Sequence, residues 1–449
     1  MTSLPPELLY LIFQELNLNE LNRCSLVCQA WASIARSLVF HDVTFCLDKP
    51  SDIHRFLDLC ECTSVTICVR NLAITLDSLR IVGESEEEVL NRLLSWRSRD
   101  GSRTIATVLN QLDRLSLHWI NWSSLTNDAK TILRDGFHSI TLLALSCISF
   151  HSAEEFVGLL RSFPALCSLE LVRCEGPSEY QYSLSGSKLN IISISGLREA
   201  SLIHLLTPCP ALRTFRCNLY DAGYLSDHNH EIAEASAITR LLASAGSSLE
   251  EFNCSVRPFP EYSRFLLDKY LSSLRLSNNN CLRKIELDSR VHPPFILSFL
   301  DHLANMDERP PYLHILELPH LPSLSLDWVK LDEILQKPFF HALYELRTDI
   351  QCTFDQYDVV RQRAAAWYPM PDLDSVAESV LRGNVVQFRT RLTQCNERGI
   401  LVLDVHYEYA PKWVKVDNDV VPQLSRRQRV VKTIRKAFRN VKLPYGATG

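Results

Sequence analysis

The sequence lacks the motifs by which nucleotide-binding and hydrolytic enzymes are commonly recognised. Only 13 of its 449 residues are glycine, and none of the patterns G-x-x-x-x-G-K-[ST], G-x-G-x-x-G, G-x-S-x-G or H-E-x-x-H occurs. Those motifs arrange backbone N–H groups around a phosphate, expose a nucleophile or bind zinc. The remaining Asp, His and Ser residues form no arrangement that supports catalysis. The absence of these motifs does not exclude an enzyme, but no set of residues supports a catalytic site, so we expect neither catalysis nor a cofactor.

Secretory and membrane-spanning segments are also missing from the pattern. The amino terminus, MTSLPPELL, has no positively charged region followed by an apolar stretch and a cleavage site. No run of about 18 uninterrupted apolar residues occurs that would predict a membrane span. Hydrophobic residues make up 46% of the chain and charged residues 22%, as in folded soluble proteins. These features predict a soluble protein in the cytoplasm, the nucleus or both.

The cysteines do not have the spacing of a metal site. There are 15 of them, an odd number, without paired C-x-x-C motifs. In a reducing compartment they serve as small hydrophobic residues. The most metal-like cluster is Asp227-His228-Asn229-His230-Glu231, but no second cluster at ligand spacing accompanies it. We interpret it as a polar loop and predict no metal site.

Most of the chain has more acids than bases, whereas its end has an excess of positive charge. The net charge is −5, while Val420 to Gly449 contains eight Lys or Arg residues and no acid, which leaves −13 on the remainder. The segment RRQRVVKTIRKAFRN would form a cationic amphipathic helix. Three interpretations remain open: a helix docked on the protein, a nuclear-localisation or nucleic-acid-binding segment, and a contact with an anionic membrane.

The first forty or so residues predict three short helices. The first helix has Pro5 and Pro6 at its start, where proline is tolerated because that N–H has no partner within the helix. Asn17 or Asn19 is a suitable N-cap for the second helix. The apolar positions recur at helical spacing in all three helices: Leu8, Leu9, Ile12, Phe13, Leu16, Leu21, Cys24, Val27, Cys28, Trp31, Ile34, Ala35 and Leu38. So small a unit leaves apolar surface uncovered. The alternative is a helical hairpin that closes the core of a larger domain.

From Leu112 onward the chain repeats the pattern L-x-x-L-x-L. Between the copies lie helical stretches such as SAEEFVGLLRSFP and PPFILSFLDHLA, and the widest interval has room for one more strand at Leu189 to Leu197. The copies centre on Leu115, Leu143, Leu169, Phe215, Phe252, Ile285, Leu316 and Leu346. A strand followed by a helix, repeated at the intervals that separate these centres, predicts a solenoid. An α/β domain with a parallel sheet and unequal crossovers is the alternative.

The pattern is less regular at both ends of this array. Before it, His41 to Leu47 and a stretch ending near Leu76 are predicted as strands, with a short helix between them. Beyond about residue 352 the period fades. There AAAWYPMPDLDSVAESVLRG predicts a loop and a short helix, and NVVQFRT and GILVLDVHYEY predict two strands that close the array. Terminal units of solenoids are often atypical because one face meets water.

Residues 3 to 45 resemble the F-box family. The motifs LPxEL and VCxxW carry the resemblance, and Gln29 departs from it, since the family usually has Lys or Arg there. The matching positions are Leu4, Pro5, Glu7, Leu8, Ile12, Phe13, Leu16, Glu20, Leu21, Val27, Cys28, Trp31 and Ala35. The repeat region in turn resembles a divergent leucine-rich repeat array, including cysteines after the L-x-L core in LALSC and LELVRC. The expected organisation is a three-helix F-box at residues 1–45, a leucine-rich-repeat-like α/β solenoid at 46–410 and a basic tail at 411–449.

The resemblance implies a function in ubiquitin ligation. F-box proteins bind a Skp-type adaptor on a cullin scaffold, and the rest of the chain presents a protein substrate, here unknown. Carried over by position, the adaptor contact and its supporting core would comprise Leu4, Pro5, Leu8, Leu9, Ile12, Leu16, Leu21, Val27, Cys28 and Trp31. Trp31 is expected to be mainly structural. The alternative function is a nucleic-acid- or chromatin-associated protein that acts through the basic tail.

Overall fold

The architecture is taken from a computed structural model of the chain. It describes residues 4–46, 50–61, 68–75, 86–177, 184, 187–196, 200–219, 228–256, 274–288, 293–305, 312–318, 326–351, 385–386, 388–406 and 414–415. The predicted helix in AAAWYPMPDLDSVAESVLRG and the amphipathic segment RRQRVVKTIRKAFRN lie outside these residues.

Three helices form the amino-terminal unit: α1 (Pro6–Phe13), α2 (Leu18–Cys24) and α3 (Gln29–Val39). Pro5 is the N-cap of α1. Asn17 caps α2, since its side-chain oxygen accepts from the Glu20 N–H at 3.0 Å and the Glu20 carboxylate accepts from the Asn17 N–H at 3.1 Å. This reciprocal capping box satisfies two N–H groups that a helix start would otherwise leave unpaired. It selects Asn17 rather than Asn19 as the cap.

The rest of the described chain is organised by one open sheet whose strands follow chain order. The strands are β1 (Asp42–Cys46), β2 (Asn71–Thr75), β3 (Arg114–His118), β4 (Leu142–Ser146), β5 (Ser168–Val172), β6 (Ile191–Ser195), β7 (Thr214–Leu219), β8 (Glu251–Val256), β9 (Lys284–Asp288), β10 (Ile315–Leu318), β11 (Glu345–Gln351), β12 (Leu401–His406) and β13 (Val414–Lys415). Strands β1 to β12 are parallel, and β13 adds antiparallel to β12. The mixed α/β class is confirmed. The leucine-rich-repeat solenoid stays a prediction.

Helices and short turns connect the strands. The helices are α4 (Pro50–Cys60), α5 (Glu86–Leu94), α6 (Ile105–Val108), α7 (Asn127–Gly136), α8 (Ala153–Arg161), α9 (Ser201–Leu205), α10 (His228–Ala245), α11 (Pro293–Ala304), α12 (Trp328–Ile334) and α13 (Thr393–Glu397), and 3₁₀ turns cover Trp122–Ser124, Gly246–Ser248 and Pro338–Phe340. Burial alternates along β2, β6, β9 and β10. Such alternation means that one face of a sheet is covered and the other faces solvent.

The repeated apolar positions are aligned in the sheet. Leu115 pairs with Leu143, and Leu143 with Leu169. The same register runs through every predicted centre up to Leu346. The extra strand predicted between Leu189 and Leu197 is β6, and its Ile192 joins the row. Because side chains alternate along a strand, this alignment stacks buried residues from one strand to the next and fixes the register.

Two predictions near the carboxyl-terminal end of the array had different outcomes. GILVLDVHYEY contains the predicted strand, β12. The strand prediction for NVVQFRT was wrong, because residues 385–386 and 388–390 are helical. Phe388, Leu392 and Cys395 are buried, and their helical spacing puts them on one side. Phe388 packs edge-on against Trp328 with ring centroids 4.4 Å apart. This tertiary contact outweighs the β-propensity of the two valines.

The described residues form two separate apolar cores. One large core runs along the sheet and its helices. The other belongs to the amino-terminal helices and consists of Leu9, Phe13, Leu21 and Ala35, with seven partly buried residues packed around it. The three helices therefore form a unit with a small core of its own.

Candidate protein-docking surface

Helix α1 carries apolar residues on two sides. Leu9 and Phe13 point into the small core, where they are 7% and 0% exposed. Leu8 and Leu11 lie on another side of the helix and are 48% and 59% exposed. Their spacing of three residues makes them neighbours on the helix surface. The helix thus keeps one apolar side for its own fold and leaves the second uncovered.

Exposed large apolar residues are concentrated in the amino-terminal unit. Of the 13 such residues in the described part of the chain, seven fall within residues 4–27. We call them the amino-terminal apolar surface: Leu4, Leu8, Tyr10, Leu11, Leu18, Leu26 and Val27. Single exposed apolar residues are normal, whereas a concentration of them marks an interaction site. Leu26 and Val27 are the extreme cases, at 85% and 62% exposed in the connection between α2 and α3.

The ten residues predicted for the adaptor contact divide into three groups by burial. Leu4, Pro5, Leu8, Val27 and Cys28 are exposed, Ile12, Leu16 and Trp31 are partly buried, and Leu9 and Leu21 are buried. The side chains of the exposed group are accessible to a binding partner. The buried pair supports the helices instead. Whether each residue contacts an adaptor stays a prediction.

Trp31 has a packing contact that explains its place in the unit. Its ring meets the Phe13 ring edge-on with centroids 5.2 Å apart, and Phe13 is fully buried. Edge-to-face pairs of this kind add roughly 0.5–1.5 kcal/mol beyond burial. The contact ties α3 to α1. The mainly structural role expected for Trp31 stays a prediction.

Sequence reasoning missed four members of the amino-terminal apolar surface: Tyr10, Leu11, Leu18 and Leu26. For Leu11 a signal was present, because Leu8 and Leu11 are three residues apart on one helix. Leu18 is the first residue of α2 and follows the N-cap, and its side chain is exposed. Leu26 lies after the end of α2, and no periodicity marks it. Its exposure follows from the tertiary fold.

The thiols of this unit differ in their surroundings. Cys24 is partly buried, and burial followed by the Glu20 carboxylate raises its pKa. Cys28 is exposed and is the N-cap residue of α3, without a side-chain cap hydrogen bond. Gln29, the departure from the family pattern, is exposed as the first residue of α3. Cys28 and Gln29 therefore both stand at the edge of the amino-terminal apolar surface, next to Val27.

Other types of site find little support. In the described residues no group of three or more His, Cys, Asp or Glu side chains is placed to hold a metal ion. His228 and His230 lie in the first turn of α10, so the prediction of a polar loop was wrong for the backbone there, and their side chains lie outside the description. No described helix combines the length and apolar character needed to cross a membrane.

Comparison with known proteins bears on the same helices. The F-box-like family model matches residues 1–46. The matched segment ends one residue beyond the predicted boundary and contains α1, α2, α3 and β1. No curated protein matches the chain. The chain thus contains an F-box-like domain at its amino terminus, and the match ends with β1, the first strand of the sheet.

The helical-hairpin alternative does not fit this arrangement. It requires α1 to close the core of the larger domain. In the described residues Leu9 and Phe13 belong to a cluster distinct from that of the sheet, Leu8 is exposed, and Ile12 and Leu16 pack on the small core. The F-box-like domain keeps an uncovered apolar side, which is the property that docking requires.

Proposed function

We propose that this chain is a substrate receptor of a cullin–RING ubiquitin ligase. Its F-box-like domain binds a Skp-type adaptor, which connects it to the cullin scaffold. The region that follows, a leucine-rich-repeat-like array, binds the protein to be modified. The chain itself is not catalytic in this role, and it acts in the cytoplasm, the nucleus or both.

One observation carries the proposal: a family-matched unit exposes apolar residues that its own fold leaves uncovered. Fully burying a leucine side chain is worth roughly 1.5–3 kcal/mol. Docking the amino-terminal apolar surface on a partner would recover that free energy for several residues at once. A few such anchors near the centre of an interface commonly dominate binding.

The sheet region supports the second half of the proposal through its separate core. A unit that folds around its own core can hold a substrate without depending on the adaptor contact. Its solvent face is broad, because strands about 4.8 Å apart succeed one another in chain order. Repeat proteins use such extended faces for binding.

Co-purification tests the adaptor contact. The full chain is expected to retain a Skp-type adaptor and a cullin, and the double variant Pro5→Ala with Leu8→Asp is expected to lose both, because a carboxylate replaces an exposed leucine at the docking surface. Val329→Asp is the matched control, since Val329 is also an exposed apolar residue on a helix, α12, of the sheet region. Full adaptor binding by the double variant would refute the proposal.

Thiol alkylation tests where the adaptor binds. Cys28 and Cys281 are both exposed, one in the F-box-like domain and one outside it. Adaptor is expected to protect Cys28 and leave Cys281 equally reactive. Two buried thiols serve as references for the intact fold, since burial raises the pKa of Cys60 to about 12 and that of Cys174 to about 11. Equal alkylation of Cys28 with and without adaptor would place the contact elsewhere.

A further inference from the structure

The residues that directly precede the strands form a row along one edge of the sheet. The Glu250 N–H donates to the Arg213 carbonyl at 2.8 Å, and the Arg283 N–H donates to the Glu250 carbonyl at 2.8 Å. The His314 N–H then donates to the Arg283 carbonyl at 2.9 Å, and the Tyr344 N–H to the His314 carbonyl at 3.1 Å. Because these residues occupy the same position relative to their strands, their side chains leave the sheet on the same side, at intervals of about 4.8 Å.

The composition of this row changes along the array. Before β3 to β6 the row is acidic or neutral: Asp113, Thr141, Cys167 and Asn190. Before β7 to β11 it contains two guanidinium groups, an imidazole, a phenol and one carboxylate. We call this second set the basic entry row: Arg213, Glu250, Arg283, His314 and Tyr344. A cationic and aromatic edge therefore lies in a chain whose net charge is −5.

The two arginines of the basic entry row are accessible to a ligand. Arg283 is exposed and forms no ion pair within the part of the chain that the structure describes. Arg213 contacts Glu250 only at 3.9 Å, and its side chain is 67% exposed. Exposed pairs of this kind are weak and are screened by salt. On the adjoining sheet face, by contrast, Lys284 is held by Glu317 at 2.7 Å. The free cationic groups thus lie on the edge and not on the face.

Aromatic rings extend the basic entry row at its carboxyl-terminal end. Tyr344 is 58% exposed, and its ring lies against the His314 ring with centroids 5.4 Å apart. Tyr312, two residues before His314, is 71% exposed, while Leu313 between them is buried. Alternate residues of an extended chain point to the same side, so Tyr312 and His314 share one side. Exposed tyrosine and arginine are the residue types that most often anchor a binding partner.

We propose that the basic entry row, together with Tyr312, binds an extended acidic segment of the protein substrate. The inference rests on the proposed function in naming the bound protein as the substrate. Arg213 and Arg283 are two strand spacings apart, or about 10 Å, and acids three positions apart in an extended peptide are separated by about the same distance. Two further spacings lead from Arg283 to Tyr344. An aromatic side chain three positions beyond the second acid would therefore meet the Tyr344 ring.

A nucleic acid fits this edge less well than an acidic peptide. Proteins that bind nucleic acid through its phosphates commonly make roughly 6–10 such contacts, whereas this row supplies two arginines. Glu250 lies between them, and Glu251 and Glu286 occupy the adjoining sheet face. These carboxylates would repel a continuous chain of phosphates. A peptide can place a neutral residue opposite Glu250.

Fluorescence anisotropy with the full chain and no adaptor tests the charge requirement. The probe is a fluorescein-labelled peptide, EGSEGSF, and the reference peptide is KGSKGSF. The acidic peptide is expected to bind, more weakly as salt is raised, and the lysine peptide is not. Arg283→Glu is expected to weaken binding about tenfold, because it places a like charge opposite the peptide. Arg134→Glu is the matched control, since Arg134 is exposed on α7. Equal binding by the wild type and Arg283→Glu, or no binding by the wild type, would overturn the proposal.

The aromatic end of the row is tested with a third peptide, EGSEGSG. Tyr344→Ala is expected to weaken binding of EGSEGSF about threefold and to leave the weaker binding of EGSEGSG unchanged, because that peptide has no ring to lose. Val329→Ala, which changes an exposed apolar residue of α12, should bind both peptides like the wild type. An equal effect of Tyr344→Ala on both peptides would contradict the contact between the rings.

The same variants distinguish other occupants. Tighter binding of oligothymidine than of EGSEGSF, lost in Arg283→Glu, would assign the edge to nucleic acid. A dimer of the peptide-free chain, abolished by Arg283→Glu in sedimentation, would assign it to a second copy, and either result would overturn the proposal. Adaptor capture by Arg283→Glu is expected to match that of the wild type, since Arg283 lies outside the F-box-like domain. A wild-type chain that captures adaptor but binds no peptide would therefore refute this inference alone, and one that binds peptide but captures no adaptor would refute the proposed function alone.

Discussion

The F-box-like domain and the sheet region differ in how they treat their leucines. In the sheet region the L-x-L pairs are covered, and the register stacks them along one continuous core. In the helices of the F-box-like domain four residues form the buried core, while seven large apolar residues within residues 4–27 stay exposed. Six others are spread over the rest of the described chain. The comparison shows that one region covers its own apolar residues, whereas the other leaves an apolar surface exposed, which we propose is covered by a partner.

The largest expected effect is the loss of unfolding free energy when a core residue is truncated, and it distinguishes the two cores. Phe13→Ala is expected to cost about 3–5 kcal/mol and Leu169→Ala about 2–5 kcal/mol, because each removes a fully buried side chain. Since the clusters are separate, Phe13→Ala should unfold α1 to α3 while β3 to β8 keep their protection from hydrogen exchange. Leu169→Ala should do the reverse. Loss of protection in both regions from either substitution would show that they unfold as one unit.

The next effect concerns the carboxyl-terminal end of the sheet. Arg398 donates to the carbonyls of Leu335, Phe340 and Leu343 at 3.0, 3.1 and 3.2 Å. Arg398→Ala leaves these carbonyls without their charged donor, and we expect a loss of about 2–3 kcal/mol. Hydrogen exchange should accelerate in β12 but not in β3. Arg391→Ala is the control, since Arg391 is exposed on the same stretch. Equal effects of the two substitutions would contradict the role given to these hydrogen bonds.

Substitution at the uncovered side should change binding far more than stability. Leu11→Asp replaces a side chain that is 59% exposed, so the free energy of unfolding is expected to change by no more than about 0.5 kcal/mol. Adaptor affinity, measured by calorimetry, should fall at least tenfold, which corresponds to about 1.4 kcal/mol. A stability loss as large as that of Phe13→Ala would mean that Leu11 supports the fold. The contrast between the two sides of α1 would then disappear.

The smallest effect is a pH dependence confined to the sheet. Burial, followed by the Arg114 guanidinium, lowers the pKa of His118, and Glu170 opposes this shift. The folded state therefore favours the neutral His118 ring. The contribution of this ring to the free energy of unfolding is fully present above the ordinary histidine pKa of about 6.5. It is lost as pH falls below that value. His118→Gln should flatten the slope of the urea midpoint between pH about 7 and 5.5, while His138→Gln, which changes an exposed residue, should not.

Much of the sheet could be predicted because its pattern is local and repeated. Each L-x-L pair marks a strand, and recurrence gives the strand order, so β6 was predicted from the length of one interval. The prediction was wrong where a strand-like composition met a tertiary demand, as at Phe388, whose partner Trp328 lies far away in the sequence. The loop expected at His228 was also wrong, since α10 begins there and continues to Ala245.

The candidate site was predictable in its location but not in its exact surface. Spacing identified the three helices, and the LPxEL and VCxxW motifs identified the family that the match at residues 1–46 supports. Spacing also put Leu8 and Leu9 together in one apolar set. Only packing separates them, since Leu9 faces the small core and Leu8 faces solvent. The exposure of Leu26 carried no periodic signal.

The sequence by itself determined the helices at the amino terminus, the chain order of the strands and the row of residues that fills the large core. These features follow from the spacing of apolar residues, from helix N-caps and from proline at a helix start, all of which act between near neighbours along the chain. Tertiary structure decided which leucines remain uncovered and how the charges on the sheet face combine, because both depend on residues that the fold brings together from distant positions. Arg114 on β3 and Glu170 on β5 are one such case, since they lie on either side of β4 and contact each other at 3.2 Å.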